Sequence, residues 1–326
     1  MLTGLLDNLL LNGDFAPALW SRLEPGQTRV ECPAWRQTLA ADRWILRHGA
    51  ARGAAVTQAI SHDVPAHAPV LRSLEICGAP GVAHSIFLGQ RLEAADAARY
   101  RRRLLFSAWV RVEHPDRFPQ HLDLVLATPR EPDHFAERDA LRTESCIRIE
   151  EVPVGRWWLL ERELDARAFA ATGLALELEF PAEMLASADA CVRLAGVRLA
   201  DAAAGQRTSD RHPALERQLV RRYFQRHDSS TVNSLGRALV VNAHELHFQF
   251  TFPEMRAFPA VTLPHDETQL RVFNLEGRPQ EGFTYDITYR SRGSCILRAT
   301  KARHGLTDGF LSFVGCEGAI LLDAEL

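Results

Sequence analysis

The alternation of apolar and polar positions predicts that most of this chain forms β-strands. The stretch 174–180 (LALELEF) alternates strictly, with leucines and a phenylalanine at even positions and alanine or glutamate at odd positions. This pattern is typical of a strand with one face on a core and one face in solvent. Further strand candidates are 8–15, 41–47, 71–77, 84–92, 104–112, 121–127, 145–150, 156–164 and 190–199. Many short strands without a long helix pattern between them favour an antiparallel β-sandwich.

One segment, His212–His227 (HPALERQLVRRYFQRH), has the period of an amphipathic helix. Its apolar side is wider than the ~100° stripe that contact with a single core requires. We therefore predict that the helix contacts both its own chain and a partner copy, although an ordinary helix that closes one end of a β domain remains the alternative. The predicted oligomer interface consists of Leu215, Leu219, Tyr223 and Phe224.

The sequence returns to strand patterns after this helix. The stretch 237–252 alternates over its whole length, and shorter strand candidates follow at 259–263, 270–275, 282–290, 294–300 and 310–314. A unit of this size has a small core and would gain stability from contact with copies of itself. We predict an all-β protein with a β-sandwich at 1–205, a linking helix at 206–229 and an oligomerising β domain at 230–326.

Composition excludes some classes of function and leaves others open. The 326 residues are 46% hydrophobic and 24% charged, and the net charge is -3, so no overall basic field would attract nucleic acid. No apolar run approaches the ~18 residues that membrane insertion requires. The cysteines are scattered and several lie in apolar runs, which indicates buried free thiols in a reducing cytoplasm. They are Cys32, Cys77, Cys146, Cys191, Cys295 and Cys316.

Several short motifs occur in a fixed order along the chain. They are NLLLNGDF (8–15), ADRW (41–44), LFSAWVRV (105–112), GRWWLLERELDA (155–166), CVRLAGVRLADAA (191–203), ALERQLVRRYFQR (214–226) and LLDAEL (321–326). The motifs before residue 205 resemble those of the carbohydrate-binding-module-like jelly roll that recurs in bacteriophage tail fibres, receptor-binding proteins and glycoside hydrolases. The last two motifs resemble the helix and the small C-terminal β domain that accompany this jelly roll in phage proteins.

The resemblance implies a jelly-roll sandwich and a fibre or spike subunit of a phage-like particle, including gene transfer agents. It also implies a homo-oligomer, with a trimer favoured. The chain departs from the family at Ala16, where related modules often have a glutamate that contributes to a structural Ca²⁺ site. Asp14 and Asp201 are the remaining candidate ligands, and two carboxylates cannot fill a shell of about six to eight oxygens. We therefore expect no cofactor, with Ca²⁺ at Asp14 and Asp201 as a weak candidate.

Catalytic motifs are lacking in the sequence. There is no GxSxG elbow, glycine-rich phosphate loop or HExxH motif. His244 and His247 resemble a metal pair, but residues three apart on a strand face opposite sides. Paired carboxylates for glycoside hydrolysis would come from distant strands, with Glu150, Glu151 and Asp123 among many candidates. We expect the protein not to be an enzyme.

Tryptophans are better candidates for function, because sugar rings stack their apolar faces on aromatic rings and bond through their hydroxyls to planar polar groups. Trp20 and Trp35 lie in the first long loop. The family pattern aligns Trp157 with a core tryptophan, so Trp158 would face outward. In the last domain Tyr289 and Arg290 are candidates for a distal binding surface. The predicted glycan-binding residues are Trp20, Trp35, Trp158, Tyr289 and Arg290.

These observations together favour a structural subunit of a phage-like particle that binds host cell-surface polysaccharide or capsule without catalysis. The subunit would be assembled with other particle subunits in the bacterial cytoplasm and be displayed on the surface of the particle. Two alternatives remain open. One is a tailspike enzyme that degrades the polysaccharide, and the other is an architectural adaptor that binds no glycan.

Overall fold

The computed structural model shows an all-β protein. It describes residues 8–24, 26–50, 55–98, 103–114, 120–135, 141–166, 171–204, 212–228, 236–264, 269–274, 278–306, 311–316 and 318–325. The chain divides into two compact units, Met1–Val220 and Arg221–Glu325. Within the described ranges, no helix is long and apolar enough to cross a membrane.

The first unit contains two six-stranded antiparallel sheets. Sheet I has the spatial order β1 (Arg29–Pro33), β4 (Ala55–Ser61), β5 (Ser73–Cys77), β12 (Cys191–Asp201), β7 (Arg103–Glu113) and β10 (Trp158–Asp165). Sheet II has the spatial order β2 (Gln37–Thr38), β3 (Ile45–Ala50), β6 (Val82–Leu92), β11 (Leu174–Phe180), β8 (Gln120–Pro129) and β9 (Leu141–Val152). A short helix, α1 (Ala94–Ala97), follows β6.

One apolar core lies between the two sheets. Strand β7 buries every second side chain, from Leu104 to Val112, and the intervening side chains are at least partly exposed. Strand β11 buries its even-numbered leucines and Phe180, as the alternation predicted, and these residues join the same core cluster as the buried side chains of sheet I. The predicted all-β sandwich is therefore confirmed.

The buried Asn12 connects the loops at one end of the sandwich. It has a positive φ of 55°, a conformation that asparagine tolerates better than most residues. Its side-chain amide donates hydrogen bonds to the carbonyls of Leu19, at 3.1 Å, and Asp42, at 3.2 Å. Its side-chain oxygen accepts a bond from the backbone N–H of Ala16, at 3.1 Å. These three bonds fix the NLLLNGDF turn against the ADRW segment.

The backbone of Asn12 makes two further contacts. Its carbonyl accepts a hydrogen bond from Nε1 of Trp44, at 2.9 Å, and the Trp44 ring packs 5.4 Å from the ring of Phe15. Its N–H donates to Oε1 of Glu216, at 2.7 Å. Glu216 interrupts the apolar side of the predicted helix, and the structure shows the reason: its carboxylate holds the N-terminal turn.

The helix is shorter than the sequence predicted. Helix α2 spans Pro213–Val220 and belongs to the first unit, and residues 206–211 and 229 of the predicted linker lie outside the described residues. Residues 224–228, predicted to be helical, form strand β13 (Phe224–Asp228) and pair with the last strand, β22 (Ala319–Asp323). Cross-strand hydrogen bonds to a distant segment outweigh the local helical period here.

The predicted oligomer interface is corrected for two of its four residues. Tyr223 and Phe224 are each 3% exposed within a single chain, so they offer no surface to a partner copy. Leu215 and Leu219 lie on α2 and remain partly exposed. They are the members of the predicted set that a second copy could contact.

The second unit is also antiparallel β. Its smaller sheet III has the order β13, β22 and β16 (Ala260–Thr262). Its larger sheet IV has the order β18 (Pro279–Gln280), β17 (Leu270–Phe273), β21 (Leu311–Cys316), β14 (Gly236–Asn242), β15 (Glu245–Thr251), β20 (Ser294–Thr300) and β19 (Thr284–Arg290). Strand β15 buries Leu246, Phe248 and Phe250, as its alternation predicted.

The cysteine prediction is wrong for Cys77, Cys191 and Cys146. Cys77 and Cys191 are direct cross-strand partners on β5 and β12, with their Cα atoms 4.2 Å apart, and they form a disulfide. The register of two neighbouring strands brings them together, and no sequence spacing indicated it. Cys146 is an exposed free thiol on β9.

The remaining cysteines are buried free thiols, as predicted. They are Cys32, Cys295 and Cys316. Burial raises the pKa of Cys32 to about 12 and the pKa of Cys295 to about 11. Both thiols are therefore protonated and unreactive near neutral pH.

We expect the double variant Cys77→Ser/Cys191→Ser to lower the free energy of unfolding by about 2–5 kcal/mol, because the disulfide closes a loop with a sequence separation of 114. Denaturant unfolding with and without reductant measures the effect. Cys146→Ser is the matched control and should leave the midpoint unchanged. A wild-type protein whose stability does not respond to reductant would contradict the cross-link.

We expect Asn12→Ala to lower the free energy of unfolding by about 3 kcal/mol or more. The substitution leaves two buried carbonyls and one N–H without their bonds, and it places alanine at a positive φ. Asn274→Ala, which removes one solvent-exposed hydrogen bond from the N–H of Arg278, is the control. Equal unfolding midpoints for the two variants would show that the buried hydrogen bonds of Asn12 do not stabilise the fold.

Candidate functional site

The outer face of sheet II carries a row of side chains that crosses all six strands. Its members are successive cross-strand partners, so they share the face that points away from the core. At ~4.8 Å between neighbouring strands the row is about 24 Å long. The row consists of Gln37, Arg47, Phe87, Glu179, Asp123 and Arg148.

An open groove of about 520 Å³ lies on this face. Its volume falls within the range of small-molecule and saccharide-sized binding sites. Apolar side chains form part of its floor and charged side chains stand beside them. The lining residues are Arg47, Phe87, Val125, Ala127, Arg130, Leu141, Thr143, Cys146, Glu177 and Glu179.

The central contact of the groove is the ion pair between Arg47 on β3 and Glu177 on β11. One guanidinium nitrogen lies 2.8 and 2.6 Å from the two carboxylate oxygens. The guanidinium crosses the intervening strand β6 and lies 4.6 Å from the centroid of the Phe87 ring. Both partners are more than four-fifths buried, so the pair is a fixed part of the floor rather than a mobile surface contact.

Gly89 makes room for this pair. It is the cross-strand partner of Glu177 on β6. A Cβ atom at this position would lie 2.8 Å from Cγ of Glu177 and 2.5 Å from the carbonyl oxygen of Leu176. A larger residue would therefore displace the glutamate that Arg47 binds.

Two further carboxylates are cross-strand partners on β11 and β8: Glu179, which lines the groove, and Asp123, which lies next to it. Asp123 pairs with Arg148, at 3.2 Å, whereas Glu179 makes no hydrogen bond or ion pair with the residues that the structure describes. The thiol of Cys146 lies close to both carboxylates. Partial burial, with Asp123 and Glu179, raises the pKa of this thiol, and the positive charge of Arg148 acts in the opposite direction.

An aromatic contact closes one end of the same face. Phe135 is buried against Ala127 and Ala175 of sheet II, and Leu141 packs against this cluster. The guanidinium of Arg91 lies 5.7 Å from the centroid of the Phe135 ring. At this end of the face, the small side chains of Ala127 and Ala175 are therefore covered by the ring of Phe135.

On the outer face of sheet I, two arginines and three carboxylates form one connected network of ion pairs. Arg193 contacts Asp63 at 3.2 Å and Glu75 at 2.6 Å. Arg111 contacts Asp63 at 3.1 Å and Glu113 at 2.5 Å. We therefore place the candidate site on sheet II, where Glu179 and Arg130 face the groove.

The structure rejects two of the predicted glycan-binding tryptophans. Trp20 is 4% exposed and belongs to the core. Trp158 pairs with the inward-facing Val110 and packs against the core, so the predicted orientations of the adjacent tryptophans are reversed. It is Trp157 that reaches the outer face of sheet I, where its Nε1 donates to Asp63 at 3.1 Å.

The other three predicted residues are accessible. Trp35 is 72% exposed in the turn between β1 and β2, next to sheet II. Tyr289 and Arg290 are exposed on β19, the edge strand of sheet IV in the second unit. Their role in glycan binding stays a prediction.

The candidate calcium ligands do not belong to a cluster of acidic side chains. The carboxylate of Asp201 accepts a hydrogen bond from the N–H of Ala203, at 3.0 Å. Among the described residues, neither Asp14 nor Asp201 belongs to a group of three His, Cys, Asp or Glu side chains able to hold a metal ion. Calcium also binds backbone and amide oxygens, so the weak Ca²⁺ candidate at these two residues stays a prediction.

The sequence contained an incomplete signal for the groove. The alternation of β11 assigned Glu177 and Glu179 to a solvent face, and the alternation around Trp44 assigned Arg47 to one face of its strand. Nothing in the spacing indicated that β3 and β11 are separated by only one strand. The strand order decides that these side chains meet.

No protein family and no curated protein sequence matches this chain. Solved structures similar to it include the arabinose-bound α-L-arabinofuranosidase MgGH51, with 16% identity, a TM-score of 0.37, and coverage of 60% of this chain and 27% of that chain. Another is the enzymatically active domain of tailspike protein 4 from bacteriophage CBA120, with 12% identity, a TM-score of 0.33, and coverage of 60% and 21%.

A third similar structure is a family 11 carbohydrate-binding module from Clostridium thermocellum in complex with a mixed-linked tetrasaccharide. Its identity is 11%, its TM-score is 0.31, and the match covers 53% of this chain and 96% of that chain. This chain therefore spans about a quarter of the length of the arabinofuranosidase and the tailspike domain. All three TM-scores are below 0.5, so the strand order described above is what defines the fold.

The thiol of Cys146 provides a test of the electrostatics of the groove. A raised pKa means a smaller thiolate fraction, so Cys146 should react with a disulfide reagent more slowly than an unperturbed thiol at the same pH. We expect Glu179→Gln to lower the pKa and speed the reaction, and Arg148→Gln to raise the pKa and slow it. Pseudo-first-order rates across pH measure both, with Cys146→Ser as the blank. Rates that shift in the same direction in the two variants would contradict the arrangement.

Proposed function

We propose that this protein is a non-enzymatic glycan-binding subunit of a phage-like particle, a tail fibre or spike, which binds host cell-surface polysaccharide in the groove of sheet II. The groove carries this proposal. It combines an apolar floor with fixed planar polar groups, and this is the combination that binds sugar hydroxyls and the apolar faces of sugar rings.

The Arg47–Glu177 pair supports binding because it is organised before any ligand arrives. The guanidinium lies over Phe87 and is held there by the ion pair with Glu177, so its remaining N–H groups have a fixed direction. A side chain that is already ordered loses little conformational entropy when a ligand binds. Glu179 and Arg130 add an acceptor and a set of donors on the groove walls.

The particle context of the proposal rests on the order of the sequence motifs and on the disulfide. The motifs of the jelly roll, the helix and the terminal LLDAEL follow one another as they do in phage fibre proteins. A disulfide between Cys77 and Cys191 fits a protein that functions on a particle surface outside the reducing cytoplasm.

Leu215 and Leu219 are the proposed contacts between copies in a homo-oligomer. A light-scattering mass of 36.5 kDa, that of a single chain, would contradict the assembly.

Hydrolysis of the polysaccharide is the second candidate, because Glu177 and Glu179 share one face of β11. They are two residues apart on the strand, so their side chains are neighbours, and glycoside hydrolysis requires a pair of neighbouring carboxylates. Both carboxylate oxygens of Glu177 are bound by the guanidinium of Arg47, so neither is free to contact a glycosidic bond. This contact is why we propose binding without catalysis.

The experiment measures binding of the purified protein to host polysaccharide, by affinity electrophoresis and calorimetry, for wild type and Arg47→Ala. We expect Arg47→Ala to weaken binding at least tenfold, because it removes the planar donor and leaves Glu177 without its partner. Arg103→Ala is the matched control, since Arg103 belongs to an exposed ion pair with Glu163 on sheet I.

Two outcomes would overturn parts of the proposal. Wild-type protein that binds neither encapsulated cells nor purified polysaccharide would favour the architectural adaptor. Release of reducing ends that Glu177→Gln and Glu179→Gln abolish would favour the tailspike enzyme.

A further inference from the structure

Trp35 is an exposed aromatic ring in the first unit that the groove does not account for. Its side chain is 72% exposed, whereas Trp20 and Trp44 are buried. In the part of the first unit that the structure describes, no other large aromatic side chain is classed as exposed. Single exposed apolar side chains are common on protein surfaces, so the case for a ligand depends on how the structure holds this ring.

The structure holds this ring in place. The backbone N–H of Trp35 donates to the carbonyl of His48 on β3, at 2.8 Å. The indole makes an edge contact with the imidazole of His84, with ring centroids 5.3 Å apart and an angle of 63° between the planes. Below the ring, Gly49 has no side chain, and a Cβ there would lie 2.9 Å from Cη2 of Trp35 and 2.7 Å from Cδ2 of His84.

The backbone of Trp35 is strained. Its φ is 63°, in the left-handed region that bulky residues rarely adopt. Glycine would be the unstrained choice at this turn, and strain of this kind is concentrated at functional sites. Trp35 therefore occupies a position where glycine would give the more stable protein.

The ring lies beside the groove. Gly49, on which it rests, follows Arg47 by two residues on β3, and Gln37, two residues after Trp35, is the cross-strand partner of Arg47. The ring therefore rests on β3 and β6 two residues along β3 from Arg47, which lines the groove, and Gln37 lies beside Arg47 on the edge strand. The groove has planar polar groups but covers its own aromatic ring, Phe87, with Arg47, and Trp35 supplies the open aromatic face that it lacks.

We propose that Trp35, supported by His84 and Gly49, is a separate stacking subsite for one sugar ring, and that the ligand is a chain long enough to reach from the groove to this ring. This inference rests on the proposed function, and it adds that the preferred ligand is an extended polysaccharide chain rather than a single sugar or a short fragment. We take the ligand to be a carbohydrate because the aromatic ring lies next to planar polar side chains of the groove, and sugars bind to this combination.

The test uses the full chain and a length series of fragments, from the disaccharide upward, prepared from the polysaccharide that wild type binds. We expect Trp35→Ala to weaken binding of long fragments about tenfold, the order of one aromatic stacking contact, and to leave short fragments unchanged. Trp35→Phe keeps a ring and should stay within about threefold of wild type. Leu71→Ala, which removes another exposed apolar side chain of the first unit, is the control and should change nothing.

Two further measurements separate a binding role from a structural one. Trp35→Gly should keep or raise the unfolding midpoint, because glycine relieves the positive φ, while it loses binding of long fragments as Trp35→Ala does. Saturating long fragments should protect wild-type fluorescence from acrylamide quenching, and Trp35→Phe should lose that protection. A glycine variant that binds normally would overturn the inference.

The outcomes also separate this inference from the proposed function. If wild type binds no polysaccharide, both fail. If Arg47→Ala loses binding while Trp35→Ala binds long fragments as tightly as wild type, the groove remains a glycan site and the Trp35 subsite is rejected. Equal losses for short and long fragments would also reject it, because Trp35 would then act on the groove itself.

Discussion

The structure of the first unit depends on the burial of one face of every strand between two six-stranded sheets. Side chains that point inward form a single apolar core, so each outward-facing residue has its direction fixed by its neighbours in the chain. The outward residues of adjacent strands then fall into rows across the sheet. The groove of sheet II lies along one of these rows, and its buried Arg47–Glu177 pair is held in place by the strands that carry it.

Polar groups at the end of the sandwich impose a second constraint. A fully buried Asn12 bonds the N-terminal turn to the ADRW segment, and its backbone receives Trp44 and Glu216. Motifs that lie far apart in the sequence therefore meet at one residue. Their common order along the chain has a structural basis, because each supplies a partner that the buried asparagine or its neighbours require.

The candidate site combines a rigid floor with a strained edge. Gly89 and Gly49 are the places where a missing side chain admits a larger group, the Arg47–Glu177 pair in one case and the Trp35 ring in the other. The floor is stabilised by an ion pair, whereas Trp35 is held at a positive φ that opposes folding. Strain at an exposed ring is expected where selection favours binding over stability.

The sequence by itself determined the fold class, the inward and outward faces of strands such as β11 and β15, and the outward direction of Glu177 and Glu179, because strand periodicity is a local property. Only the tertiary structure decided which strands are neighbours. That order brought Arg47 to Glu177, joined Cys77 to Cys191, turned residues 224–228 from a predicted helix into a strand, and exchanged the faces of Trp157 and Trp158. Each of these depends on cross-strand register between distant segments, and a one-residue shift in register reverses every face.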